Sequence, residues 1–200
     1  MNVRLFVKMY AGLHLLFAAV YGSANWLAAR HAQPSRYYAA WELDMPFVPA
    51  MIYVYFSIAL LFWVPLFLLD DTRLRRLGVA AAGCILVAGM IFVLAPGTTG
   101  FAPQPAVAGT LDSVLFQALH AVDKPFNTAP SLHVALSTLL VLVARQGATS
   151  HWLRIALFAW LGAILASVLL VHQHHLADVL TGALLGAACY AWYRRPVQTV

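Results

Sequence analysis

The chain has 200 residues, of which 62% are hydrophobic and only 10% are charged. Soluble globular domains carry about 25% charged residues, so this composition excludes a soluble protein and leaves no room for a soluble domain. The formal net charge of +5 comes from Lys and Arg at the ends of the apolar runs. That placement indicates membrane topology rather than nucleic-acid binding.

Six apolar runs recur along the chain, each close to the length of about 20 residues that a membrane-crossing helix needs. They predict an all-α integral membrane protein in which residues 1–200 form one six-helix bundle. The first run follows Arg4 and Lys8, but it is long and lacks a small-residue cleavage site, so a helix is predicted rather than a signal peptide. The predicted spans are 5–28, 48–69, 77–95, 131–146, 154–173 and 177–193.

Two loops between these spans are long enough to carry functional residues. In the loop at 29–47, Glu42 and Asp44 precede the second span and could line a site, although a plain surface position is more typical of such carboxylates. In the loop at 96–130, residues 110–122 have apolar side chains at helical spacing. This spacing predicts a helix lying along the membrane interface.

Small residues inside the spans predict close packing between helices. Gly182 and Gly186 in the last span have the small-xxx-small spacing that lets helix backbones approach each other. Cys84 and Cys189 both lie inside apolar runs, which favours a packing role over a disulfide or a metal site.

The distribution of basic residues predicts the orientation of the bundle. With the N-terminus inside, nine Lys and Arg residues lie on the inner side and three on the outer side. Inner loops are enriched in Lys and Arg, so both termini are predicted to be cytoplasmic. The inner residues are Arg4, Lys8, Arg73, Arg75, Arg76, Arg145, Arg154, Arg194 and Arg195, and the outer ones are Arg30, Arg36 and Lys124.

This topology brings several polar residues to the same, outer face. The fourth span begins outside at Pro130, and the fifth span ends outside just before His174. Ionisable groups at membrane depth are costly and usually functional. A reaction centre is therefore predicted at the outer face, and its members are Lys124, Ser131, His133, His174 and Asp178.

His174 and Asp178 form the strongest candidate pair. A spacing of four places two helical side chains on one face, about 5–6 Å apart at Cβ. The Asp178 carboxylate could hold the His174 ring in one tautomer, which suits a nucleophile that attacks phosphorus. The alternative is structural, with a histidine at a helix start and an Asp that satisfies the first amides.

The segment Pro130-Ser131-Leu132-His133 begins the fourth span and is the second candidate motif. Pro130 suits a first helical turn, and the free amides of that turn with the Ser131 hydroxyl could face a phosphate. His133 could then protonate a leaving alkoxide as a general acid. The alternative is a helix cap with a histidine at the membrane interface.

Other polar residues near these motifs are candidate substrate ligands. Lys124 could neutralise developing charge on a phosphate, or it could be a solvated lysine near headgroups. Asn127 could donate a hydrogen bond, and His175 lies beside the candidate nucleophile. The run His172-Gln173-His174-His175 followed by Asp178 also permits a zinc or iron site, but residues two apart do not share a helix face, so no metal is predicted.

The segment from Lys124 to Gly182 resembles the type 2 phosphatidic acid phosphatase (PAP2) superfamily of membrane lipid phosphatases and phosphotransferases. The family's second motif stands here as Pro130-Ser131-Leu132-His133, and its third motif ends as His174-x3-Asp178, with Ser167 at its serine position. The Leu132 variant and the His-His-x-x-Asp-Val ending look closest to the inositol phosphorylceramide synthase-like branch, and similar motifs occur in bacterial PAP2 proteins. The resemblance implies a six-helix bundle, a His174 nucleophile with its Asp178 partner, a His133 acid, and no metal or other cofactor.

Two basic positions of the family pattern are missing. The arginine of the third motif is Val168 here, and the first motif has no good match in the region around Gln104. Each charge-assisted hydrogen bond contributes about 1.5–3 kcal/mol, so the missing pair would cost several tenfold factors in rate unless other groups replace it. The candidates for replacement are Lys124, Asn127, His172 and His175.

The sequence therefore predicts a membrane enzyme that removes or transfers a phosphate-containing headgroup of a lipid at the outer leaflet. Water and an alcohol are equally possible acceptors. The alternatives are a catalytically silent lipid-binding or transport protein, favoured by the missing arginines, and a metal-dependent membrane hydrolase. The expected partners are a lipid phosphate and the surrounding lipids, with no nucleic acid. The Ala-rich composition favours a bacterial inner membrane, with the site facing the periplasm.

Overall fold

A computed structural model describes residues 3–30, 35–101, 110–122 and 126–196. Within these ranges the regular structure is helical, and no strand occurs beyond an isolated bridge between Ser35 and Gly97. A 3-10 helix at Ala40–Asp44 precedes the second group of helices. The α-helices are α1 Val3–Ala28, α2 Met51–Phe56, α3 Ile58–Leu61, α4 Val64–Leu68, α5 Asp71–Leu94, α6 Leu111–Val122, α7 Leu132–Gly147, α8 His151–Leu170 and α9 Leu176–Tyr193.

The all-α prediction is confirmed for the described residues, and helices occupy all six predicted spans. In this part of the chain, four helices are long and apolar enough to cross a membrane, namely α1, α5, α8 and α9. The fourth predicted span is the shorter helix α7, and the second is divided into α2, α3 and α4. The count of six crossings stays a prediction. The helix predicted at 110–122 is present as α6.

Two helix ends differ from the predicted ones because local hydrogen bonds decide them. Helix α5 begins at Asp71 rather than near 77, since the Asp70 side chain accepts a 2.8 Å hydrogen bond from the amide of Arg73. Helix α8 ends at Leu170 rather than near 173. His172 there has a left-handed backbone (φ 58°), a conformation that a regular helix cannot include.

The break between α3 and α4 in the second span has a clear backbone cause. Pro65 lacks an amide hydrogen, and the amide of Leu66 bonds to the carbonyl of Trp63 instead of that of Phe62. The carbonyl of Phe62 instead accepts the hydroxyl of Tyr10 from α1. The carbonyl left free by the break thus forms a hydrogen bond that joins α1 to the α2–α4 segment.

Helix α7 is the central element of the bundle, and it packs most closely on α9. Nearly all of α7 is buried, and it contacts α4, α5, α8 and α9. A Cβ placed on Gly182 would lie 2.5 Å from the backbone oxygen of Ser131, and one on Gly186 would collide with the carbonyl of Ala135. The close approach predicted from these glycines is therefore present.

Helix α1 packs mainly against α5 and leaves space on its other side. Side chains of α1 pack against glycines of α5, with Met9 over Gly78 and Val20 over Gly89. On the side facing α2–α4 the described residues enclose apolar cavities instead of a tight interface. The fold thus leaves a space along α1 that leads toward the start of α7.

Candidate active site

The loop between α8 and α9 fixes the position of His174. The amides of Gln173 and His174 both donate to the carbonyl of Val168, each at 3.1 Å. The left-handed backbone at His172 makes this tight reversal possible. His174 is therefore held on a sharp turn immediately before α9, rather than inside a helix.

Asp178 contacts His174 and also caps α9. Its Oδ2 lies 3.5 Å from Nδ1 of His174 and accepts a 2.9 Å hydrogen bond from the backbone amide of His175. The carboxylate is almost fully buried, at 1% exposure. The catalytic and the structural interpretations of this pair are thus compatible. The same oxygen accepts the hydrogen bond of a helix amide and lies close to the imidazole.

His133 lies in the first turn of α7 and has an aromatic partner from another helix. Ser131 is the N-cap of α7, and its hydroxyl accepts a 3.4 Å hydrogen bond from the amide of Val134. The ring of His133 stacks on Tyr55 with centroids 4.3 Å apart, and its Nδ1 lies 3.2 Å from the Tyr55 hydroxyl. Tyr55 was not a candidate in the sequence.

The structure brings the two histidine motifs together at one cavity. His133 and His174 both line a cavity of about 210 Å³, together with Tyr55 and Asn127. The backbones of the motifs are also bonded directly, because the amide of Ser131 donates to the carbonyl of Asp178 at 3.0 Å. Two segments that lie some forty residues apart in the chain thus form one site.

The remaining candidate ligands occupy different positions. Asn127 is buried at the cavity, and its Nδ2 donates a 3.1 Å hydrogen bond to the carbonyl of Tyr21. Its Oδ1 has no hydrogen-bond partner among the residues that the structure describes. Ser131 is fully buried under the first turn of α7. Lys124 and the region around Gln104 lie outside the described residues.

The ring of His175 faces away from this cavity. Its Nε2 contacts the carbonyl of Thr99, and its Nδ1 lies 3.3 Å from Oε2 of Glu42. The ring is stacked on Tyr38 and on Phe101, with centroid distances of 4.2 Å and 4.3 Å. In this arrangement His175 connects loops around the site, and neither of its nitrogens is directed at a substrate.

Glu42 is buried, which corrects the surface position expected from the sequence. Only 4% of its surface is exposed. Its Oε1 accepts from the amide of Ala39 and its Oε2 from the amide of Leu176, each at 2.9 Å. The carboxylate thus joins the 3-10 helix to the first residue of α9.

His172 belongs to the same group of loop contacts. Its Nε2 lies 3.0 Å from the carbonyl of Met45, and its ring is parallel to that of Phe101 at a centroid distance of 4.1 Å. Across the described residues, no group of three or more His, Cys, Asp or Glu side chains is arranged to hold a metal ion.

Val168, at the position of the missing family arginine, is fully buried in an apolar cluster. Its neighbours in that cluster include Ile52, Tyr55, Val134 and Val171. The side chain of Val168 therefore contributes packing behind the site, and its carbonyl holds the turn that carries His174.

A comparison with protein-family models matches residues 39–192 to the model described as the PAP2 superfamily. This range is more than half of the chain and contains both histidine motifs, the turn before α9 and all the residues that line the cavity except Phe17 and Tyr21 of α1. Comparisons with curated proteins and with solved structures gave no match. On the evidence of the family match, the chain belongs to the PAP2 superfamily.

Proposed function

We propose that the protein is a membrane phosphatase or phosphotransferase that acts on a lipid phosphate at the outer, periplasmic face through a phosphohistidine intermediate. Membership of the PAP2 superfamily supports a phosphatase-type enzyme. The observation that carries the proposal is the shared cavity of His133 and His174. Nδ1 of His133 lies within hydrogen-bond distance of Tyr55, and Nδ1 of His174 lies 3.5 Å from Asp178.

His174 is the proposed nucleophile. Because Nδ1 faces Asp178, Nε2 is the nitrogen available to the substrate. In the first step, Nε2 forms a bond to phosphorus while the bond from phosphorus to the lipid oxygen breaks. Asp178 stabilises the positive charge that develops on the ring. In the second step, water or an alcohol attacks phosphorus, and the bond to Nε2 breaks.

His133 is the proposed general acid, and Tyr55 orients its ring. In the imidazolium form of His133, Nδ1–H donates to the Tyr55 hydroxyl oxygen, and the second proton lies on Nε2. That proton passes to the oxygen of the leaving lipid alcohol in the first step. In the second step, the same nitrogen takes a proton from the attacking water or alcohol, which restores the starting state.

The cavities along α1 support a lipid as the substrate. A second cavity of about 210 Å³ shares Phe17, Leu132 and His133 with the first and continues between α1 and the α2–α3 segment. A third, of about 460 Å³, continues past Tyr10 and His14 to Val7 and Trp63. A headgroup at the histidines and an apolar chain along α1 fit this arrangement. The proposed substrates are phosphatidic acid, phosphatidylglycerol phosphate or an isoprenyl (di)phosphate.

Asn127 is the proposed phosphate ligand inside the described part of the site, since it lines the cavity with His174. Lys124 and the first amides of α7 complete the proposed anion site. We assign His175 to support of the turn rather than to phosphate binding. The inositol phosphorylceramide synthase-like branch remains the proposed closest branch of the superfamily.

A second candidate function is that of a catalytically silent lipid-binding or transport protein. Its supporting observation is Val168, which places an apolar side chain where the family pattern has a phosphate-binding arginine. Such a protein would keep the bundle and the apolar cavities and bind lipids without turnover.

Phosphate release by the purified full chain in detergent tests the proposal. We expect the wild type, with EDTA present, to release phosphate from at least one lipid in a panel of lipid phosphates. His174→Ala should fall to background, because the substitution removes the proposed acceptor of the phosphoryl group. Equal activity in both proteins would contradict the site assignment.

The same panel separates the remaining functions. Transfer of phosphate from labelled lipid to an added alcohol, without release to water, would identify a phosphotransferase. Binding of lipids without release or transfer would favour the silent protein. Activity that EDTA abolishes and zinc restores would favour the metal-dependent hydrolase.

A further inference from the structure

Glu42 joins the 3-10 helix of the first loop to the turn that carries the candidate nucleophile. Its Oε1 is bonded to the amide of Ala39, and its Oε2 is bonded to the amide of Leu176. Leu176 is the first residue of α9, two positions after His174. One buried carboxylate therefore fixes the start of α9 relative to a segment more than a hundred residues earlier.

The Glu42 carboxylate also completes the environment of His175. A carbonyl oxygen can only accept hydrogen bonds, so Nε2 of His175 carries a proton toward Thr99. Nδ1 lies 3.3 Å from Oε2 of Glu42, so the carboxylate faces the second ring nitrogen. Because two nearly parallel rings cannot share one face, Tyr38 and Phe101 cover opposite faces of the imidazole.

A short chain of contacts leads from this pair to His174. The backbone amide of His175 donates to Oδ2 of Asp178 at 2.9 Å, and the same oxygen lies 3.5 Å from Nδ1 of His174. A rotation of the His175 backbone would redirect the hydrogen bond that holds the Asp178 carboxylate. Glu42 restrains that backbone at both the His175 side chain and the Leu176 amide.

We propose that Glu42 is a positioning residue for the nucleophile, acting through His175 and the first turn of α9. This inference rests on the proposed function. Glu42 does not line the cavity at His133 and His174, so it acts on the rate of phosphoryl transfer to His174 and leaves substrate binding unchanged.

The test compares Glu42→Gln with Asp44→Asn in the full chain, using ³²P-labelled phosphatidic acid in detergent. Gln keeps the shape of Glu42 and one acceptor but removes the charge. Asp44 lies on the same 3-10 helix and is exposed, which makes it a matched control. We expect Glu42→Gln to lower kcat about 10- to 100-fold, the range that a small misplacement of reacting groups produces. KM and the fraction of protein that can be phosphorylated should stay at the wild-type level.

Two further measurements separate positioning from general support of the fold. Glu42→Gln should be equally slow on p-nitrophenyl phosphate, whose leaving group needs no acid, because the defect lies at the nucleophile. The double variant Glu42→Gln/His175→Gln should be no slower than the slower of the two single variants, since both changes act through one contact chain. A loss of phosphorylatable protein, with a normal rate per labelled molecule, would overturn the proposal.

Failure of this inference is distinguishable from failure of the proposed function. If the wild type is active, His174→Ala is inactive and Glu42→Gln equals Asp44→Asn, Glu42 has no positioning role. If the wild type neither releases phosphate nor becomes labelled, the proposed function is wrong and this inference is wrong with it.

If gel filtration shows that Glu42→Gln does not fold, Glu42→Asp is the second variant, because it keeps the charge but has a side chain one methylene shorter. The same fall in kcat at constant KM is then expected, and an unchanged kcat overturns the proposal.

Discussion

Tyr55 and His133 form the contact on which proton transfer in the proposed mechanism depends. The tyrosine is almost fully buried, stacks on the imidazole and reaches its Nδ1 with the hydroxyl. Removal of the hydroxyl keeps the stacked ring but removes the acceptor for Nδ1–H of the imidazolium. The general acid would then lose the hydrogen bond that directs its Nε2–H at the leaving oxygen.

We therefore expect Tyr55→Phe to lower kcat on lipid phosphates about tenfold, the equivalent of one hydrogen bond of about 1–1.5 kcal/mol. On p-nitrophenyl phosphate, a substrate with a good leaving group, the loss should disappear because no proton is needed. Steady-state rates on the two substrates measure this difference.

Tyr53→Phe is the matched control for this substitution. Tyr53 lies on the same helix, is 45% exposed and bonds to Asp112 instead of the site. It should leave both rates unchanged. An equal loss on both substrates in Tyr55→Phe would contradict a role of Tyr55 in proton transfer and indicate a packing role for the tyrosine.

At the scale of single residues, the sequence motifs indicated the proposed reacting groups but not the residues that contact them. His133 and His174 stand in recognisable motifs and line one cavity, and Asp178 contacts His174. Tyr55 is 78 residues from His133, and Glu42 is 134 residues from Leu176. Contacts over such separations depend on tertiary packing, and no local pattern encodes them. The one available indication for Glu42 was a carboxylate in a short outer loop beside a membrane span.

At the scale of helices, the contact between α7 and α9 sets the distance between the two histidines. His133 is in the first turn of α7 and His174 immediately precedes α9, so any separation of these helices moves the acid away from the nucleophile. Gly182 permits the contact, because its missing Cβ is the space that the backbone of Ser131 occupies.

Gly182→Ala should destabilise the protein and lower its activity. Overpacking of this kind costs about 1–3 kcal/mol, and the displaced α7 should slow phosphate release more than the loss of folded protein explains. Thermal unfolding in detergent and activity per folded molecule measure the two effects.

Gly162→Ala on α8 is the control, since a Cβ at that position meets nothing within 4 Å. Alanine is also the better helix former, so this variant should be at least as stable as the wild type and fully active. Equal effects of the two substitutions would contradict the role assigned to the α7–α9 contact.

Apolar periodicity located all the helical regions, but it could not predict how the second span is divided. The break between α3 and α4 follows from Pro65 and from the hydrogen bond of the Phe62 carbonyl to Tyr10, a contact with another helix. The early end of α8 likewise depends on the turn at His172, where the Val168 carbonyl receives two amides. The apolar sequence continues through Pro65, so composition alone suggested one unbroken span there.

At the scale of the whole molecule, a cluster of basic residues lies at the end of the bundle opposite the candidate site. Helix α7 begins beside His133 and ends near Arg145, a distance of about 24 Å along its axis at 1.5 Å per residue. At the far end, Arg76 donates to the carbonyls of Tyr193 and Arg195, while Arg145 and Arg194 lie over the Tyr190 ring. This distribution of basic residues agrees with the positive-inside prediction and supports the proposed outer position of the site.

Reporter fusions test that orientation. With the C-terminus cytoplasmic, a green fluorescent protein fused after Val200 should fluoresce, and an alkaline phosphatase fused there should be inactive. Trp41→Cys, exposed in the first loop, should react with a membrane-impermeant maleimide added to intact cells. The opposite pattern would place the histidines on the cytoplasmic side and reverse the proposed topology.

The space along α1 has a consequence for how the reaction would end. The third cavity reaches Val7 and Trp63, both about half exposed on the surface that faces lipid in this topology. The dephosphorylated lipid, which carries less charge than the substrate, can diffuse sideways into the bilayer, whereas inorganic phosphate must depart into water. The two products then enter different phases, and their recombination at the histidines becomes rare. Partition between membrane and solvent would in this way make the overall reaction effectively one-directional, without any input of chemical energy beyond the phosphoester bond itself.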